Sequence, residues 1–121
     1  MKLSGVMLGT ENSKKLADFY TKVLGKPGWQ QNDWFGYNTG ANLIIGPHSE
    51  VKGTSQSPAR IMMMFEVDDV KKEFSRIKAI GAKVIAKPYL PSKDSPDMWL
   101  ATFADPDGNY FQLMSPWEET K

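Results

Sequence analysis

The 121-residue chain predicts an α+β protein built from two tandem βαβββ modules, about residues 1–55 and 58–121, in one domain. They form an open, cup-shaped, mostly antiparallel sheet with the helices outside. Three observations carry this reading. A strand–helix–glycine pattern is written twice, with Asn12 matching Asp69 at an offset of 57 and Leu24-Gly25 matching Ile80-Gly81 at 56. Each predicted helix has one apolar stripe, and the later segments alternate apolar and polar residues as half-buried strands do. Two copies cannot stack into a solenoid, which needs three or more repeats, so two open sheets curling against each other are the better solution.

Val6 to Leu8 reads as the first strand. Asn12 or Ser13 then caps a helix whose stripe is Leu16, Phe19, Tyr20 and Val23, and Gly25 stops it. Polar sequence follows, then strands over Trp34 to Tyr37 and Asn42 to Ile45, with Gly40 between them. Ile61 to Val67 opens the second copy, Asp68 or Asp69 caps its helix, and Val70, Phe74, Ile77 and Ile80 form the stripe before Gly81. Strands over Lys83 to Ala86, Trp99 to Phe103 and Tyr110 to Met114 complete it. Asp105-Pro106-Asp107-Gly108 is a strong turn, and Pro88 to Asp97 reads as an inserted loop.

Composition excludes several functions. Fifteen basic against fourteen acidic residues leave a net charge of +1 with no basic stripe, so nucleic acid is not expected as a partner. The longest apolar run, Ile61 to Phe65, is far short of the roughly 20 residues that span a bilayer, and Met1 to Gly9 is too short for a signal-peptide core. A soluble, cytoplasmic protein with no membrane partner is the expectation. Without cysteine there is no disulfide framework, no thiolate nucleophile and no cysteine-ligated metal.

The stretches TENSKKLADFYTKVLG, FEVDDVKKEFSRIKAIGAKV and FADPDGNYFQL together resemble the vicinal oxygen chelate superfamily, which includes glyoxalase I, extradiol dioxygenases, fosfomycin-resistance enzymes and bleomycin-binding resistance proteins. The likeness spans nearly the whole chain. GPHSEVKG, residues 46 to 53, further resembles small bacterial glyoxalase-like proteins. The resemblance implies metal ligands on the first and last strand of each repeat, usually histidine and glutamate. Carried over one position at a time, these fall on Gly5, Ile44, Met62 and Gln112. Glycine and isoleucine offer no donor, methionine a soft thioether and glutamine one neutral oxygen, so the inherited metal site reads as erased and no cofactor is expected.

Period-two alternation places Met62, Met64 and Glu66 on one face, with Met63, Phe65 and Val67 beneath the helix. By the same rule Tyr110, Gln112 and Met114 line the cup, above a floor of Gly5, Met7 and Gly9. The ligand-binding set is therefore Met7, Trp34, Met62, Met64, Trp99, Tyr110 and Gln112: methionines adapt to irregular apolar ligands, indoles stack on planar ones, and Tyr110 and Gln112 orient them. Trp29 belongs to the same rim. Either Trp99 or Leu100 faces inward, and Trp117 is the least important tryptophan. Glu66 and His48 are the weak catalytic candidates, because no nucleophile–base pair is visible. The reading that results is a metal-free protein that sequesters a small aromatic or amphipathic molecule. Its alternatives are a glyoxalase-like lyase, isomerase or dioxygenase with a relocated metal, and a dimeric interaction module without a ligand. The resemblance also implies a homodimer.

Overall fold

The computed structural model describes residues 1–116, so Trp117 lies outside the described residues. The chain divides into two compact units, the first Met1–Thr54 and the second starting at Ser55.

In the first unit the order is β1 (Gly5–Thr10), α1 (Ser13–Leu24), β2 (Trp29–Gln31), β3 (Trp34–Thr39) and β4 (Ala41–Pro47). Asn12 is the helix cap, its side chain accepting from the Lys15 N–H at 3.1 Å. The buried face of α1 carries Leu16, Ala17, Tyr20 and Val23. It meets Leu43 and Ile45 of β4 and Phe35 and Tyr37 of β3, all buried. Burying a side chain of Leu or Ile size contributes about 1.5–3 kcal/mol, so this stripe holds helix to sheet. Tyr37 adds a polar tie, its hydroxyl donating to the Ala17 carbonyl at 2.8 Å and lying 2.9 Å from Thr21 Oγ1. Burial pushes the Tyr37 phenol above its ordinary 10.0.

The sheet order is β1-β4-β3-β2. β1 runs parallel to β4 and the other two pairings are antiparallel. Strand β2 was not among the sequence-derived elements. It forms because Asn32, at φ 54, closes a two-residue turn that sets Gln31 against Trp34. Its presence supplies the third strand after α1 that the first βαβββ module requires.

The second unit repeats the plan with β5 (Met63–Glu66), α2 (Val70–Ile80), β6 (Lys83–Tyr89), β7 (Leu100–Ala104) and β8 (Tyr110–Met114), ordered β5-β8-β7-β6. Asp69 caps α2, accepting from the Lys72 N–H at 3.1 Å. Gly81 closes it in the left-handed region at φ 105, where a Cβ would be strained. Val70, Phe74 and Ile77 of α2 are buried with Phe103, Phe111 and Leu113. Phe103 stacks on both Phe74 (5.1 Å) and Phe111 (5.7 Å). Strand β5 starts two residues later than expected, with Ile61 79% exposed. β6 runs through Pro88 to Tyr89, so the inserted loop is shorter than predicted. Its pairing with β7 is interrupted by register shifts between Val84 and Ala86 and between Ala86 and Tyr89. Neither four-stranded sheet closes into a barrel.

The DPDG turn joins β7 to β8. Buried Asp105 accepts from the Asp107 and Asn109 N–H groups at 2.9 and 3.0 Å. The backbone then turns at Gly108, φ 80, a conformation that glycine adopts without cost.

Among the described residues, no helix is long and apolar enough to cross a membrane.

Candidate functional site

Each sheet has one face under its helix and one facing away, and alternation along the strands decides which side chains stand on the open face. In the first unit the ladder sets Met7 beside Ile44, Ile44 beside Gly36, and Gly36 beside Trp29. One row across the open face therefore reads Met7, Ile44, Gly36, Trp29. A second row contains Gly5, Asn42 and Asn38, again in register.

Gly36, Gly46 and Gly9 on this face are covered by the chain's own side chains. A Cβ on Gly36 would fall 2.1 Å from Trp29 Nε1 and 2.2 Å from its Cε2. One on Gly46 would fall 2.2 Å from Trp34 Cε3 and 2.3 Å from its Cζ3. Each indole thus lies over a neighbouring strand at the point where that strand has no side chain. Gly9 is covered too, its Cβ direction lying 2.9 Å from His48 Cβ and 3.2 Å from Val51 Cγ2. This corrects the reading of Gly9 as open floor: the loop after β4 folds back over it. Trp29 and Met7 stay 48% and 44% exposed, so the row they terminate is accessible, while Trp34 is half-buried.

In the second unit the ladder sets Met64 beside Gln112 and Gln112 beside Thr102, with Glu66 beside Met114 and Met114 beside Leu100. Gln112 is buried at 7% exposure and donates through Nε2 to Thr102 Oγ1 at 3.1 Å. Met64 is 49% exposed. Tyr110 is half-buried beside Ala104, and Met62, just before β5, is half-buried as well.

Trp99 is the residue of the expected ligand set that the structure moves. The Leu100–Met114 pair puts Leu100 on the open face, so Trp99 turns toward α2, where the Lys71 ammonium sits 3.9 Å from the ring centroid. The flat alternation of Trp-Leu-Ala-Thr-Phe could not decide between the two.

The equivalence of the repeats is visible in their ladders. Met7 pairs with Ile44, Met64 with Gln112, so the offsets of 57 and 68 that align the sequences also align the hydrogen-bonded registers. The positions that would carry metal ligands are thereby tested for fit. Gly5 and Ile44 supply no donor atom, and a Cβ at Gly5 would fall 2.9 Å from the Asn42 carbonyl oxygen. Met62 offers a soft thioether, and Gln112, whose Nε2 donates to Thr102, offers one neutral amide oxygen. A dication has no anionic ligand in this set, and the residues do not fit one. No group of three or more His, Cys, Asp or Glu side chains with metal-binding geometry occurs among the described residues.

The weak catalytic candidates stand apart from such a constellation. His48 is exposed, and its Nδ1 accepts from the Glu50 backbone N–H at 3.2 Å rather than facing a carboxylate. Glu66 is exposed at the end of β5.

Sequence reasoning left Asn38 and Asn42 unremarked and kept Trp29 outside the ligand set. The available signal was the short Trp29–Gln31 segment before Asn32-Asp33, which brings a third strand, and an indole, onto the face.

Comparison with known proteins agrees with this architecture. The model of a family described as a glyoxalase-like domain matches residues 5–114. The uncharacterized protein YraH of Bacillus subtilis (strain 168) is 26% identical over 128 residues, covering 93% of this chain and 97% of YraH. A glyoxalase-related enzyme from Fulvimarina pelagi superposes with a TM-score of 0.75 at 20% identity, over 95% of this chain and 88% of that one. The fosfomycin resistance protein FosX from Listeria monocytogenes superposes at 0.74 and 18% identity, over 97% and 94%. At these identities the structural likeness speaks for the fold.

Proposed function

Because the chain belongs to the glyoxalase-like domain family, and with it to the vicinal oxygen chelate superfamily, yet lacks anionic ligands where metal-dependent relatives keep them, we propose that it binds a small aromatic or amphipathic molecule without a metal ion. The observation that carries this reading is the make-up of the open faces. Where histidine and glutamate would stand, the first unit has Gly5 and Ile44, on a face with Met7, Trp29 and Trp34, and the second unit has Met62 and Gln112, with Met64 and Tyr110. Such a surface suits desolvated contact with a flat or irregular apolar body and a few orienting polar groups. Sequestration needs no reacting group.

The test is a fluorescence and calorimetric titration of chelator-treated protein with a panel of planar bicyclic compounds, alongside elemental analysis of protein from metal-supplemented culture. Binding by the metal-free protein is expected. Met7→Arg should weaken binding at the first unit's face by about tenfold or more, the scale of one lost apolar contact at about 1.5–3 kcal/mol. Near one transition-metal ion per chain, or turnover of methylglyoxal with glutathione, would sink the proposal. A second reading, an interaction module without a ligand, draws on the coverage of Gly36, Gly46 and Gly9 by the chain's own side chains. It predicts concentration-dependent self-association and no binding anywhere in the panel.

A further inference from the structure

We propose that the open face of the first sheet recognises an uncharged planar heterocycle through a lactam edge, with Trp29, Ile44 and Met7 beneath the rings and the Asn38–Asn42 pair along that edge. This rests on the small-molecule reading above and gives it a ligand class and a place.

The argument starts from the two amides. Asn38 and Asn42 are direct cross-strand partners on the same face, so their Cβ atoms stand about 4.5–5.5 Å apart. Asn38 Oδ1 accepts from the Gly40 N–H at 3.3 Å, which leaves its amide N–H₂ as a donor. Asn42 Nδ2 donates to the Ser4 carbonyl at 3.3 Å, which leaves its Oδ1 as an acceptor. Local backbone partners thus set the two amides in opposite senses. A donor beside an acceptor is the complement of adjacent C=O and N–H groups, the edge of a lactam or cyclic imide.

The row beside them supplies the surface for the rings. Trp29, held across Gly36, and Met7 remain about half exposed, with Ile44 between them in register. Among the described residues, no strand position on this face has an ionisable side chain. A ligand charge would therefore lose hydration there without compensation, which favours an uncharged molecule.

The experiment uses the full chain and three bicyclic probes of similar size: carbostyril, a neutral lactam; N-methylcarbostyril, which lacks the N–H; and naphthoate, an anion. Affinities are read by calorimetry and tryptophan fluorescence. Carbostyril should bind, and the other two about fivefold to tenfold more weakly, the scale of one hydrogen bond. Trp29→Leu should weaken carbostyril by about tenfold, the scale of one aromatic stacking contact. Asn42→Leu should bring carbostyril down to the N-methyl level and close the gap between them. If Asn42→Leu does not fold, Asn38→Leu on the next strand removes the donor to the lactam carbonyl and should weaken carbostyril by about fivefold to tenfold; unchanged affinity of that variant for carbostyril overturns the lactam assignment. Equal binding of carbostyril and its N-methyl analogue overturns the lactam assignment and leaves the broader small-molecule reading standing. Panel compounds that bind while all three probes fail do the same. If no planar compound binds at all, both fall. A change in sedimentation on Trp29→Leu without a change in binding shows that this face meets a second copy, and overturns the proposal.

Discussion

Replacing Gly46 by alanine asks whether the indole of Trp34 depends on a bare backbone beneath it. The added Cβ would lie 2.2–2.6 Å from three ring carbons, closer than any van der Waals contact, so the ring must leave. A tryptophan buries about 150–250 Å² in a protein. For the half-buried Trp34, loss of about 100 Å² at about 25 cal/mol per Å² costs about 2.5 kcal/mol. Alanine recovers about 0.5–1 kcal/mol of backbone entropy relative to glycine in a strand, for a net destabilisation of about 1.5–2 kcal/mol. Gly36→Ala makes an equally short contact with Trp29, but that indole is already 48% exposed and swings into water, so the net change falls to about 1 kcal/mol or less by the same coefficients. Urea unfolding measures both. In the Trp34→Ala background Gly46→Ala should stabilise by about 0.5–1 kcal/mol, which gives a coupling of about 2.5 kcal/mol in the double-mutant cycle. A Gly46→Ala protein as stable as its parent, with the Trp34 indole N–H resonance unmoved, would refute the reasoning.

Two further outcomes follow from the units' internal ties. The Tyr37 phenol is raised above 10.0 chiefly by burial, with Asp18 adding to the rise and the Thr21 hydrogen bond opposing it. Its contribution to stability is full below pH 10 and is lost as pH climbs through the folded value. Tyr37→Phe should therefore flatten the alkaline decline of the melting temperature while costing about 1 kcal/mol per lost hydrogen bond at neutral pH; an unchanged alkaline slope would count against this. Asp69→Ala removes the cap of α2 and should cost about 1 kcal/mol in denaturant unfolding, whereas loss below experimental error would mean that the helix end is held by packing alone.

The architecture was legible where a physical period ran long enough to be read. Both helices carried stripes of four apolar residues and a capping side chain three residues ahead of the N–H it accepts, and Asn12 and Asp69 resolve the two alternatives at each cap. The turn at Asp105 to Gly108 was legible because proline and glycine each restrict or permit one backbone angle. Strand β2 was not, since three residues are too few to show alternation and their pairing depends on a two-residue turn at Asn32. Which way Trp99 points was equally hidden. Its strand alternates large and small residues on both faces, and only the pairing of Leu100 with Met114 decides it. The open faces were read one strand at a time, and that is why the amides were missed: Asn38 and Asn42 are ordinary loop-flanking residues until the ladder sets them side by side. The coverage of Gly9 and Gly46 was hidden for the same reason, because a missing side chain leaves no trace of what lies across it.

The irregular pairing of β6 with β7 has a consequence for the protein in concentrated solution. β6 is bonded on one side only, and a straight edge of that length would offer a row of free N–H and C=O groups for a stray chain to extend. Two register shifts break the row into short pieces, Pro88 withholds an N–H, and the exposed Lys83 and Lys87 bring charge to the strand. The irregularity that weakens this strand's hold on its own sheet is thus what keeps the edge from nucleating cross-β growth, so local stability is exchanged there for colloidal stability.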